Sequence, residues 1–280
     1  MRDIAIIGFG EAGQAFAAGF PRRVLAYDNE PDAARRDQLT RAAAASGVEF
    51  CPNADVALAG AKIVFCLVTA DRAIEAARTY APLLPKGALW CDGNSCAPDS
   101  KRQSASLIGA GYVDMAVMSP VHPKGHHTPV LLSGPGSEAM APWVDTLDMR
   151  ARRIDGQTGS ASTIKMLRSV MVKGLEALTA ECFLAARKAG VQDEVLGSLV
   201  ASSPEMDWLE RAGYNLERMM EHGTRRAAEM REVVKTLSAL DMPHEVTAAV
   251  ADWHARIGAL RLKGREGGLD QRAQTLLDRL

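Results

Sequence analysis

Residues 4–20, IAIIGFGEAGQAFAAGF, decide the fold. A short β-rich apolar run leads into glycines at 8, 10 and 13, and an alanine-rich segment of helical character follows directly. In that order each glycine has a distinct task. Gly8 allows the tight turn, Gly10 lets the backbone approach a pyrophosphate, and Gly13 allows the helix to pack closely on the strand. The start of a helix then offers N–H groups and a favourable dipole to phosphate. Phe9, Glu11 and Ala12 lie between the glycines and share the loop. The next apolar run, VLAYD, ends on Asp28, a carboxylate suited to accept hydrogen bonds from ribose hydroxyls and to repel a 2′-phosphate. The expected cofactor is therefore NAD, with NADP the alternative if Arg35 and Arg36 meet the extra phosphate.

Working outward, short apolar runs alternate with helical stretches up to about residue 155: VLAYD, KIVFCLVT, ALWCDGN, YVDMAVM and PVLLSG. That alternation predicts an α/β fold, a Rossmann-type doubly wound parallel sheet over residues 1–157, followed by an all-helical domain over 158–280. In the second part, Ile164, Leu167, Met171, Leu175 and Leu178 recur at helical spacing on one long helix expected to run through the middle of the molecule. Pro204 and Pro243 are expected near helix starts, and Val246, Val250, Trp253, Ile257 and Leu260 are expected to form a core stripe. The segment KGREGG reads as a linker.

Charge and cysteine content narrow the function. With 33 basic and 34 acidic residues the net charge is -1, which argues against nucleic acid or an anionic membrane as partner. No apolar stretch reaches spanning length and none has the form of a signal peptide. Five cysteines without a CxxC pair or finger spacing fit a reduced, cytoplasmic protein, and Cys91 and Cys96 are expected to be buried. His122, His126 and His127 share one loop, but Pro123, Gly125 and Pro129 deny it the helix that HxxxHH would need, so no metal site is expected. His122 is retained as a substrate contact or pH-sensitive gate. No GxSxG elbow or Walker loop is present.

The segment GQTGSASTIKMLRSVMV at 156–172 sets Lys165 on an otherwise apolar face near a helix start. The dipole and free N–H groups of that start would draw in a substrate carboxylate and lower the lysine's pKa, fitting it to exchange a proton with a hydroxyl.

Here the sequence resembles the β-hydroxyacid dehydrogenases, which include 3-hydroxyisobutyrate dehydrogenase and, more distantly, 6-phosphogluconate dehydrogenase. Their GxGxxxKxxxN segment appears as Gly159, Ala161, Lys165 and Ser169, with alanine in place of the second glycine and serine in place of asparagine. The resemblance places Val68 and Thr69 at the cofactor turn and Ser95, in DGNSCAP, near the nicotinamide. It also aligns DMAVMSP at 114–120 with the substrate loop, where Ser119 is retained and two glycines become Pro120 and Val121. The family's KDL segment has no clear counterpart; AEM at 228–230 follows Arg225 and Arg226, which would reach an anion or serve structure. RSVMVKGLEAL and HGTRRAAEMREV resemble the branch carrying the helical domain DUF1932.

The resemblance implies an NAD(P)-dependent dehydrogenase with Lys165 as general acid/base. Its substrate would be a small carboxylic acid bearing a hydroxyl, held by Ser119, Pro120, Val121, His122 and Ser169, and the helical domain would form a homodimer. An imine reductase of the same superfamily and a nucleotide-binding protein without chemistry are the alternatives.

Overall fold

In the computed structural model, which describes residues 3–264 and 266–280, the first apolar run forms β1 (Ile4–Ile7), every residue of it buried. The elements that follow are α1 (Glu11–Ala17), β2 (Val24–Tyr27), α2 (Ala33–Ala45), β3 (Glu49–Phe50), α3 (Ala54–Leu58), β4 (Ile63–Cys66), α4 (Ala73–Tyr80), β5 (Leu89–Asp92), α5 (Pro98–Ile108), β6 (Tyr112–Val117), β7 (Val130–Ser133), α6 (Ala141–Thr146) and β8 (Ala151–Arg153). They build one eight-stranded sheet in the order β3-β2-β1-β4-β5-β6-β7-β8. Alternate side chains of a strand enter opposite layers. Ile4 and Ile6 join Phe16, Phe65 and Leu132, whereas Ala5 and Ile7 join Leu58, Val64, Trp90 and Tyr112. Each fully buried aliphatic side chain of this kind contributes about 1.5–3 kcal/mol.

β1 pairs in parallel with β2 on one side and β4 on the other. The winding of the chain reverses there, and the crevice beyond the carboxyl ends of β1 and β4 is the place where such sheets bind ligands.

The sheet departs from the sequence expectation in two ways. β6 and β7 run antiparallel. The connection between them holds only a 3-10 turn at Gly125–His127, with no crossover helix to return the chain in parallel. β3 and β8 were not expected; they are two and three residues long, carry Glu49, Arg152 and Arg153, and end the sheet at its two edges, so no apolar period announces them.

The second part of the chain contains α7 (Ser160–Lys188), α8 (Gln192–Ser202), α9 (Trp208–Ser238), α10 (Glu245–Ala259) and α11 (Leu269–Leu277). The chain divides into two compact units, Met1–Met166 and Leu167–Leu280, so the division falls inside α7 rather than at 157/158. Within the second unit α9 packs on α10 where Gly223 and Gly258 meet; a Cβ on Gly258 would come within 2.3 Å of Thr224 N.

Three helical expectations are corrected. α9 starts at Trp208, and its N-cap is Asp207, whose side chain accepts from Glu210 N at 2.9 Å, not a residue beside Pro204. The buried face of α10 runs through Thr247, Val250, Ala251, His254, Ile257 and Gly258. Val246, one position from Thr247 and so turned away from that face, is exposed. The stripe Ile164, Leu167, Met171, Leu175 and Leu178 is exposed as well, whereas Ala177, Ala180, Phe183 and Leu184 are buried. Of KGREGG, Arg265 lies outside the described residues, while Gly264 is fixed by hydrogen bonds from its N–H to Glu221 and to its carbonyl from Arg272. Among the described residues no helix is long and apolar enough to cross a membrane.

Candidate active site

At the carboxyl end of β1 the three glycines are distinguished by what a side chain would meet. Gly8 has φ +91°, and a Cβ there would lie 2.7 Å from the Leu67 carbonyl carbon and oxygen and 2.9 Å from Val68 Cγ1. On Gly13 a Cβ would lie 2.3 Å from Gly8 O, so the first turn of α1 rests directly on the loop. Gly10 is the N-cap of α1, no side chain caps it, and a Cβ there would meet nothing within 4 Å. The helix start is therefore open where a pyrophosphate needs backbone approach, and these residues fit a dinucleotide.

Asp28 at the end of β2 is tied to the same loop. Its Oδ2 accepts from Phe9 N at 2.7 Å and its Oδ1 from Glu30 N at 3.1 Å. Phe9 serves the site through its backbone only, because its ring is in the core. Glu11 is exposed and Ala12 half-buried in the first turn of α1, and Thr69 precedes the 3-10 turn Ala70–Arg72. Arg35 is exposed and the Arg36 guanidinium bonds back to Glu30 O.

A second centre lies at the start of α7. Asp114, on β6 and fully buried, accepts through Oδ2 from Gly159 N, Ser162 N and Ser133 Oγ, and through Oδ1 from Ser162 Oγ at 2.6 Å. Ala161 N donates to Ser133 Oγ, and Ser160 N to Gln157 O. The expectation that free N–H groups of this helix hold a substrate carboxylate is thereby corrected, since the protein's own carboxylate already takes them. Lys101 on α5, with no exposed surface, sits 2.8 Å from Asp92 Oδ1 and 3.6 Å from Asp114 Oδ1. Tyr112 donates to Asp92 Oδ2 at 2.8 Å. Burial works to lower the Lys101 pKa, but the two aspartates outweigh it and hold the ammonium well above the ordinary lysine value. Burial, then the same two carboxylates, push the Tyr112 phenol up. A buried charge is tolerable only with such partners. The result is a polar spine from β5 through α5 and β6 to the first turn of α7.

That spine sets the position of Lys165. It projects from the second turn of α7, half-buried, with Nζ donating to Ser95 Oγ at 2.5 Å. Thus the lysine and the Ser95 segment, separate in sequence, are brought together. The β6–β7 loop is more divided. Ser119 is half-buried, Pro120 and His122 are exposed, and Val121 is a core residue whose carbonyl accepts from Gly125 N. A substrate contact through the Val121 side chain does not fit that burial.

Ser169 belongs to the second unit, where its Oγ accepts from Lys173 at 3.1 Å. Arg226 is buried, with its guanidinium held by both carboxylate oxygens of Glu176 inside the second unit; Arg225 is half-exposed beside Glu229. His254 is fully buried in this unit, donating from Nε2 to Lys173 O, and burial pushes its pKa down to about 4. Cys91 and Cys96 are buried, and burial pushes the Cys91 thiol up.

Lys101, Tyr112 and Ser162 were not singled out from sequence. Lys101 gave no such signal in sequence: it shares the buried face of α5 with Pro98 and Ser104, which is not an apolar stripe.

A model of the NAD binding domain of 6-phosphogluconate dehydrogenase matches residues 3–142, and a model of the domain of unknown function DUF1932 matches residues 186–257. Among solved structures, a conserved hypothetical protein from Sinorhizobium meliloti 1021 is 34% identical, covering 100% of this chain and 97% of its own, with a TM-score of 0.75. The 3-hydroxyisobutyrate dehydrogenase of Mycobacterium tuberculosis, solved with L-serine, shares the fold at 18% identity, with 99% of each chain covered and a TM-score of 0.75. An uncharacterized 28.5 kDa protein of Methanothermus fervidus is 27% identical over 194 residues, 69% of this chain and 74% of its own.

Proposed function

The chain belongs to the β-hydroxyacid dehydrogenase superfamily, in its DUF1932 branch, as an NAD(P)-binding oxidoreductase, and from that premise we propose that it interconverts a small hydroxy acid and its carbonyl form with Lys165 as general acid/base. The observation that carries this reading is the 2.5 Å contact between Lys165 Nζ and Ser95 Oγ. It sets a proton-carrying amine beside a hydroxyl on the segment that follows β5. When bound, the nicotinamide accepts or supplies the hydride. Lys165 takes the hydroxyl proton in the oxidative direction and returns it in the reductive one, and Ser95 shares the hydrogen bond that orients the reacting oxygen.

Because the start of α7 is closed by Asp114, the acid group is assigned to side chains, Ser119 and His122 of the β6–β7 loop. Asp28 favours NAD over NADP: its carboxylate, fixed by Phe9 N and Glu30 N, stands where a 2′-phosphate would bring like charge. The exposed apolar stripe Leu167, Met171, Leu175 and Leu178 supports a homodimer through α7.

The deciding experiment is Lys165→Ala, assayed on a panel of short hydroxy acids with NAD. Turnover is expected to fall roughly 10²–10⁴-fold, with NADH affinity unchanged within about twofold. Near-normal turnover would remove the lysine from the reaction, and reduction of a cyclic imine with no activity on any hydroxy acid would move the chain to the imine reductases. Met171→Glu is expected to shift a dimer to monomer in sedimentation; a chain that is monomeric before the change defeats the proposed assembly.

A further inference from the structure

His126 and His127 end the 3-10 turn that follows β6, and Asp148 occupies the turn between α6 and β8. One ligand-competent atom of each lies within 4.8 Å of the other two. His127 Nε2 is 2.9 Å from Asp148 Oδ2, and the two imidazole centroids are 3.9 Å apart. We propose that His126, His127 and Asp148 form a binding site for one divalent transition-metal cation of the zinc class, separate from the nucleotide site.

Four observations support it. The turn is fixed from below: Thr128, fully buried, donates from Oγ1 to Gly125 O at 2.7 Å, and Gly125 N donates to Val121 O at 2.6 Å. The His126 ring is seated in a place made for it. A Cβ on Gly19 would lie 1.8 Å from His126 Nδ1, so the absent side chain leaves room for the imidazole, and Phe20 meets the ring edge-on at 6.1 Å. Nε2 is the ring nitrogen farther from Gly19. Asp148 is held in the left-handed region at φ 49°, a conformation aspartate adopts more readily than most residues, with its N–H bonded to Asp145 O. Finally, the donor set is selective. Two imidazoles and one carboxylate suit zinc, cobalt or nickel, whereas calcium and magnesium take oxygen ligands. Three protein ligands leave a fourth position for water, and with His127 46% and Asp148 80% exposed the ion is exchangeable.

The site stands at the far end of α1 from Gly10, about 10 Å along the helix axis. It joins the β6–β7 loop, whose His126 ring packs against Gly19 beyond α1, to the turn before β8, so its direct effect is on the stability of that corner of the sheet. The alternative for the same atoms is a plain exposed histidine–aspartate pair, which contributes about 0–1 kcal/mol and needs no ion.

The test is isothermal titration of untagged, EDTA-treated full-length protein with zinc chloride. One zinc per chain is expected, and both His127→Ala and Asp148→Asn should weaken it at least tenfold while NADH affinity stays within twofold. Gly19→Ala, which alters no ligand atom but displaces the His126 ring, should weaken zinc as well. Cobalt chloride should give visible absorption in the wild type that is lost in His127→Ala. Absence of stoichiometric zinc binding by the wild type, or an affinity that His127→Ala and Asp148→Asn leave unchanged, overturns the proposal.

Discussion

The starts of α1 and α7 are finished in opposite ways. At α1 the N-cap is a glycine with no side-chain cap and open space over its α-carbon. At α7 the N–H groups of Gly159, Ala161 and Ser162 are taken by Asp114 and Ser133, and Lys101 and Asp92 stand behind them. Both helices carry the same partial positive charge at this end. The bare start keeps its donors open to an incoming group, whereas a permanent carboxylate turns the other into a fixed mount for the lysine one turn later. A helix N-terminus is thus not by itself a ligand site; what already occupies its donors decides.

Asp114→Ala breaks this contrast most severely. It strands the α7 donors and leaves Lys101 with one carboxylate, and loss of one partner from a buried charged group costs about 3–5 kcal/mol. Urea unfolding should read that loss, and a change under about 1 kcal/mol would mean the cap is dispensable.

A buried polar group kept neutral offers the opposite case within the second unit. His254 has its folded pKa lowered to about 4 against an ordinary 6.5. As pH falls below 6.5 the unfolded chain takes up the proton first, so stability is full above that value and is lost toward pH 4. Integrated over the shift this is roughly 3 kcal/mol. Burial raises Glu176 despite Arg226 and Lys173, which works against that slope at the acid end. The difference between wild type and His254→Gln across the window is therefore the quantity to measure; parallel curves would refute the assignment.

Two glycines sharpen the reading of α1. Gly13→Ala drives a methyl group against Gly8 O and should cost about 1–3 kcal/mol of stability as well as NADH affinity. Gly10→Ala meets no atom of the chain. It should leave stability within about 0.5 kcal/mol while weakening NADH about tenfold, or ~1.4 kcal/mol; equal NADH affinity would show that the open start faces no phosphate. Smallest is Asp207→Ala at α9, an exposed cap, expected to cost about 1 kcal/mol in thermal unfolding.

Much of this was legible in the sequence because it is local. The six apolar runs each became a strand, and the glycine spacing with Asp28 marked one end of the sheet, since strand, turn and helix signals act within about twenty residues. What stayed hidden depends on partners far apart in the chain. Asp114 meets Gly159 across 45 positions and Ser162 across 48, so nothing nearby tells a capping carboxylate from one that binds substrate. The surroundings of the histidine loop were hidden for the same reason. Its third partner, Asp148, lies beyond β7 and α6, out of reach of any test on loop spacing. The stripe of α7 was found as one helical face, but periodicity does not tell what covers such a face, and here it is exposed.

The division of the chain inside α7 bears on how such proteins are diversified. Met166 closes the first unit, so Lys165 and the carboxylate that anchors its helix both lie on the sheet side of the boundary. A recombination junction placed after that residue would keep Lys165, Ser95, Asp114 and the glycine loop together on one module, whatever helical segment followed them.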